Sequence, residues 1–155
     1  MVSVSFVRGR RTKMEQNFTT LKNYSHKVGI NFWHIVLATK YRYQMFGKFK
    51  QKNIIEACIR KIATTHKITI QLITVMPDHL HMLVTLPRGM TDSKALMLLK
   101  GGSAYRFFKN HEKSRLRLPQ GHLWSAGGCA TTVGYNELST VENYIKTQTQ
   151  QHVVV

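Results

Sequence analysis

The run His79-Leu80-His81 places two imidazoles two positions apart, and Tyr144 and Gln148 stand four positions apart near the other end of the chain. In an extended strand alternate side chains share one face. His79 and His81 therefore point the same way, with Cα atoms about 7 Å apart, a span from which both rings reach a single ion. Two nitrogen donors make an incomplete shell, which suits a borderline or hard divalent cation that keeps positions open for water and phosphate oxygens. On a helix, residues four apart lie about 6 Å apart along one face. Gln148 can then offer its amide oxygen to the same ion while Tyr144 holds its hydroxyl against a phosphate. A phenol with a pKa of about 10 attacks weakly, and a cation that polarises phosphorus and neutralises developing charge lowers the barrier. A phosphotyrosine link would divide strand breakage and rejoining into two steps and conserve the phosphodiester energy. Each pair also has a plain structural reading: strand histidines facing solvent, and a packed helix aromatic beside a polar neighbour.

The charge balance indicates the substrate. Twenty-three Lys and Arg stand against seven Asp and Glu in 155 residues, a formal +16, and a field of that sign gathers a polyanion. Lys40, Arg42, Lys48, Lys50 and Lys52 are interleaved with Tyr41, Tyr43, Phe46 and Phe49, a strip that would contact phosphates and stack bases. A solvated basic loop anchored by its aromatics fits that stretch equally well. Arg106, Lys109, Lys113, Arg115 and Arg117 form a second strip, suited to cradling a hairpin stem by its shape. A hydrolase using metal-activated water would want more carboxylates, and Asp78 is the only acid near the histidines. Cys58 and Cys129 form no close pair, which argues against a disulfide framework or a zinc knuckle. No apolar run reaches membrane-spanning length and the N-terminus has no signal-peptide core, so a cytoplasmic, DNA-associated protein with no membrane partner is expected.

The elements that must position these groups follow from periodicity. Residues 29–39 read as a strand rich in branched and aromatic side chains. Residues 48–66 carry Ile54, Ile55, Cys58, Ile59, Ile62 and Ala63 at helical spacing. Strands follow over 68–75 and 79–86, separated by the Pro77-Asp78 break. Thr91 or Asp92 can cap a helix running to about Asn110, a basic connection covers 113–125, and 128–134 is a short strand. Ser139 through Glu142 spells a capping box for the last helix. The order predicts an α+β fold with helices on an antiparallel sheet. Residues 1–27 form a basic segment ahead of a domain spanning 28–155. In this frame Asp78 reads as a turn or capping residue, His34 as structural, and His66, His111 and His122 as solvated.

Met76-Pro77-Asp78-His79-Leu80-His81, Leu123-Trp124-Ser125, Thr132-Val133-Gly134 and Tyr144-Ile145-Lys146-Thr147-Gln148 together resemble the small single-tyrosine HUH transposases of single-strand insertion sequences. The resemblance spans about residues 32–150, with the pieces in family order. It implies a ferredoxin-like or RNA-recognition-like sheet plus a C-terminal helix carrying the tyrosine, and an obligate homodimer whose sites are composite in several members. It implies Mg2+ or Mn2+ held by His79, His81 and Gln148, and attack by Tyr144 on single-stranded DNA beside hairpin ends. A 5′-phosphotyrosine and a free 3′-hydroxyl would result, with no nucleotide cofactor. A non-catalytic hairpin-binding module of the same fold, or a domesticated transposase, is the competing expectation.

Overall fold

In the computed structural model, which describes residues 31–151, four strands and three helices alternate: β1 (Phe32–Ala38), α1 (Phe49–Thr65), β2 (Thr69–Val75), β3 (His79–Thr85), α2 (Asp92–Asn110), β4 (Cys129–Val133) and α3 (Leu138–Gln151). The expected basic segment 1–27 lies outside the described residues. The sheet order is β2-β3-β1-β4, antiparallel throughout. β3 sits between β1 and β2, so each β-α-β passage skips over a strand, the split arrangement of ferredoxin-like domains. The fold class expected from the sequence is the one observed.

Alternation along the strands sorts the side chains into two layers. One face of the sheet carries Ile35 and Leu37 from β1, Leu80, Met82 and Val84 from β3, and Ile73 from β2, all buried. The apolar stripe of α1 (Ile55, Cys58, Ile59, Ile62, Ala63) packs on this face together with Ala95, Leu99, Phe107 and Phe108 of α2. Phe46 wedges between Phe107 and Trp124, with ring centroids at 5.4 and 5.6 Å. The indole of Trp124 donates to Ser103 Oγ at 2.9 Å, which satisfies the one polar atom of a buried tryptophan. His111, expected in solvent, is hydrogen-bonded to Ser114 at 2.7 Å and stacks on Phe107.

β3 is buried on both faces over His79–Val84. The reason is α3, which packs against β2 and β3. Phe32, Leu83 and Val133 are buried on the sheet face opposite the main core, and Leu138 and Ile145 are buried apolar side chains of α3. The start of α3 differs from the expected capping box. A short 3-10 turn over Tyr135–Glu137 runs directly into the helix at Leu138. Ser139 is therefore already helical, Glu142 pairs with Lys146 one turn on, and the entry is closed by Glu137, whose carboxylate accepts from the Gly134 amide at 3.4 Å. Thr91 caps α2 as expected, its hydroxyl accepting from the Lys94 amide at 3.1 Å. No described helix is long and apolar enough to cross a membrane.

Two adjacent glycines in α2 report on the contact between α1 and α2. A Cβ on Gly102 would come within 2.5 Å of Ile62 Cδ1 and 2.7 Å of its Cγ1, whereas one on Gly101 meets nothing within 4 Å. Ile62 is buried and cannot swing clear. Gly102→Val is therefore expected to destabilise by about 1–3 kcal/mol through overpacking. Gly101→Ala should stabilise by about 0.5–1 kcal/mol through helix propensity. Urea unfolding of the two variants checks both signs.

Candidate active site on the histidine face of the sheet

The register between β1 and β3 builds this site. Val36 pairs with His81 and Ala38 with His79, so His34, two positions before Val36, projects from the same face beside His81. The His34 and His81 rings stack at 5.3 Å, with His34 Nε2 and His81 Nδ1 3.1 Å apart in a hydrogen bond. His79 and His81 stand edge to face at 5.1 Å. Both are buried. From α3, the ring of Tyr144 is set edge-on to His81 at 5.6 Å and to His34 at 6.0 Å, yet it is 48% exposed. Gln148, one turn further on, is buried.

Asp78 has a larger role than a turn residue. Its Oδ1 accepts from His79 Nδ1 at 2.7 Å and its Oδ2 from Arg42 Nε at 3.0 Å. Its main-chain carbonyl accepts from both the amide and the hydroxyl of buried Thr39, at 2.9 and 3.0 Å. Arg42 is brought to it by a tight turn after β1, in which Tyr41 and Arg42 hold φ of 57° and 54°. Non-glycine residues seldom adopt that region, which is costly and recurs at functional sites.

Burial of its ring, with the neighbouring His79 and His34 adding to the effect, pushes the His81 pKa down to about 4, since desolvation disfavours the cation. Burial likewise lowers His34. Burial alone would raise Asp78, but the hydrogen bond from His79 and the charge of Arg42 outweigh it and hold the carboxyl below its ordinary range. At neutral pH the face thus presents an uncharged His81 imidazole beside an ionised carboxylate.

Among the described residues no group of three or more His, Cys, Asp and Glu has the arrangement of a metal site. His79, His81, Tyr144 and Gln148 all belong to this face or to the helix that covers it. Of the expected DNA-contacting cations, Arg42 reaches this site through Asp78, and the two sequence strips are interleaved in space. Arg42, Lys48, Lys50, Lys113 and Arg117 line one groove with Tyr43, over which Arg117 sits at 4.8 Å. Lys40, Lys109 and Arg115 line a second groove with Tyr105 and Trp124, while Lys52 and Arg106 line neither. His34 and Asp78 are the site members that reading the sequence passed over. His34 needed the β1–β3 register to be seen. Asp78 stood next to His79, but a continuous strand would have turned it away.

The histidine face should respond to acid. An unfolded histidine takes up a proton at about pH 6.5, whereas His81 in the folded protein does so near 4. Between those values the unfolded chain holds more protons, so stability falls as the pH drops through the window and levels off below it. We expect the His81 Cε1–H resonance of the metal-free protein to titrate with a midpoint near 4 and the melting temperature to fall across the same interval.

The family model for IS200-like transposases matches residues 29–148. The ISDra2 transposase TnpA of Deinococcus radiodurans is 29% identical over 117 residues, covering 75% of this chain and 82% of that protein. The transposase for insertion sequence element IS200 of Salmonella typhimurium is 29% identical over 119 residues, 77% of each. Among solved structures, a candidate transposase from Deinococcus radiodurans R1 superposes with a TM-score of 0.64 at 28% identity, over 78% of this chain and 92% of that one. A REP-associated tyrosine transposase bound to a REP hairpin gives 0.60 at 18% identity, over 81% and 70%, a likeness of fold. With the family model matching well over half of its length, the chain belongs to the IS200-like transposases.

Proposed function

We propose that the chain cleaves and rejoins single-stranded DNA at insertion-sequence ends through a 5′-phosphotyrosine on Tyr144, with His79, His81 and Gln148 holding Mg2+ or Mn2+. The observation that carries this reading is Tyr144 standing 5.6 Å from the His81 ring while half exposed. That geometry suits a nucleophile that a strand can reach beside a buried donor pair. Two imidazole nitrogens and an amide oxygen fit a divalent cation that leaves sites open for phosphate. When bound, such an ion neutralises charge on the non-bridging oxygens of the scissile phosphate.

The chain's own groups do the rest. The Tyr144 oxygen bonds to phosphorus as the phosphorus–O3′ bond breaks. The phenolic proton passes to water, and the departing 3′ oxygen takes one from water. In the return step a 3′-hydroxyl attacks the phosphotyrosine, the phenol is restored and the phosphodiester re-forms without a nucleotide cofactor. The two basic grooves supply the electrostatic hold on the strand and its hairpin. The protein works as a homodimer in this reading, and each Tyr144 serves the imidazoles of its own chain, which the intrachain ring contacts favour.

Two experiments test it. End-labelled single-stranded DNA carrying the element's end hairpin, incubated with protein and Mn2+, is expected to give a covalent band on a denaturing gel. Tyr144→Phe or a chelator should abolish that band. Hairpin binding on a native gel without a covalent band would instead establish a non-catalytic module. Mixing His81→Ala protein with Tyr144→Phe protein should restore no cleavage, because neither chain then has a complete site. Restoration would show that the tyrosine helix serves the partner subunit.

A further inference from the structure

Each of the two candidate ligand imidazoles has its Nδ1 engaged by a second side chain. His79 Nδ1 lies 2.7 Å from Asp78 Oδ1, and His81 Nδ1 lies 3.1 Å from His34 Nε2. The supports come from opposite directions, one from the residue preceding β3 and one from the neighbouring strand β1. We propose that Asp78 and His34 are positioning residues that fix His79 and His81 as Nδ1-protonated tautomers, so that both rings turn Nε2 toward a common ion. This deepens, and rests on, the metal-dependent reading above.

For His79 the direction is unambiguous. A carboxylate oxygen only accepts, so a proton sits on Nδ1, and the lone pair that an ion would take is left to Nε2. Arg42 holds the other carboxylate oxygen at 3.0 Å, and the Thr39 amide and hydroxyl hold the Asp78 carbonyl, so the acceptor is fixed in place. For His81 the direction follows from the ligand role. If His34 donated, the His81 proton would move to Nε2 and remove the lone pair an ion needs. His34 must then accept through Nε2 and carry its own proton on Nδ1, which requires it to be neutral. Its burial acts in that direction. The 5.3 Å stack of the two rings keeps the acceptor in line. Partners of this type orient metal-binding histidines and raise their basicity, and their loss typically weakens metal binding by about 10- to 100-fold.

The test combines tautomer and affinity on the full chain. Long-range 1H–15N correlation spectra of the metal-free protein at pH 7.5 (about the middle of the neutral range) should show both His79 and His81 protonated on Nδ1. Asp78→Ala should shift His79 alone, and His34→Phe should shift His81 alone. Each should weaken Mn2+ binding, read by electron paramagnetic resonance, by about 10- to 100-fold. Phenylalanine preserves the ring volume and stack, so packing is controlled. His34→Gln and Asp78→Asn retain an acceptor and should recover most of the affinity. Unchanged tautomers with Mn2+ affinity within about twofold of the parent in both Asp78→Ala and His34→Phe, against the loss expected, would overturn the proposal. If the parent protein itself binds no Mn2+, the metal-dependent reading fails. The tautomer shifts still decide whether Asp78 and His34 orient the rings.

Discussion

The pairing of Val36 with His81 across β1 and β3 decides which side chains meet on the face that α3 covers. Side chains alternate along both strands, so this register brings His34, His79 and His81 onto one surface and sends Ile35, Leu37, Leu80 and Met82 into the main core. A slip of one residue would exchange the sets, exposing the core side chains of one strand and burying histidines among Ile55, Ile59 and Leu99. The apolar side of the sheet therefore enforces the polar side. Burial of apolar surface contributes about 25 cal/mol per Å2, and several fully buried side chains per strand make that slip prohibitive.

The same face carries an electrostatic cost that the surroundings must offset. Burying polar rings without partners is unfavourable by a few kcal/mol, yet His79 and His81 are both buried. The burial is tolerated because each ring has a hydrogen-bonded neighbour and because His81 remains neutral. Asp78 is the pivot of this compensation. Its carboxylate answers His79 and Arg42, while its carbonyl is closed off by Thr39. The strained turn at Tyr41 and Arg42 is stabilised by that ion pair and by the Phe46 amide bonding to the Pro77 carbonyl at 2.9 Å. Arg42 also lines a basic groove, so one residue joins that groove to the histidine face.

Much of this was legible in the residues themselves. The helical spacing from Ile54 to Ala63 and the branched strands foretold α1, β1, β2 and β3 closely, because periodic burial leaves a periodic sequence. The family pieces around His79, His81, Tyr144 and Gln148 foretold the elements that hold the site. Four features were not legible, for different reasons. β3 is buried on both faces because α3 crosses over it, and no local pattern in 79–85 announces a partner more than fifty positions away. The box at Ser139 and Glu142 satisfies the local rule, yet the preceding 3-10 turn moves the helix start to Leu138 and frees Glu142 to pair with Lys146. His34 and Asp78 enter only through contacts, one across a strand pair and one by a side-chain turn back onto its neighbour. The two basic strips looked separate in sequence, but the loop after β1 and the turn after α2 interleave them into two grooves.

Helix α3 couples stability to the placement of Tyr144. Ile145 is fully buried, Leu138 is buried two turns earlier, and Gln148 is buried nearly a turn later. These positions define a stripe that holds the helix on the sheet. Tyr144 lies on the margin of that stripe, next to Ile145, which is why its ring both touches His81 and remains in solvent. Rolling the helix to bury the tyrosine would lift Ile145 out of its contacts, and rolling it the other way would part the phenol from the imidazoles. One buried isoleucine thus sets the azimuth of the neighbouring tyrosine. The pair formed by Glu142 and Lys146 adds i,i+4 support that does not depend on that packing.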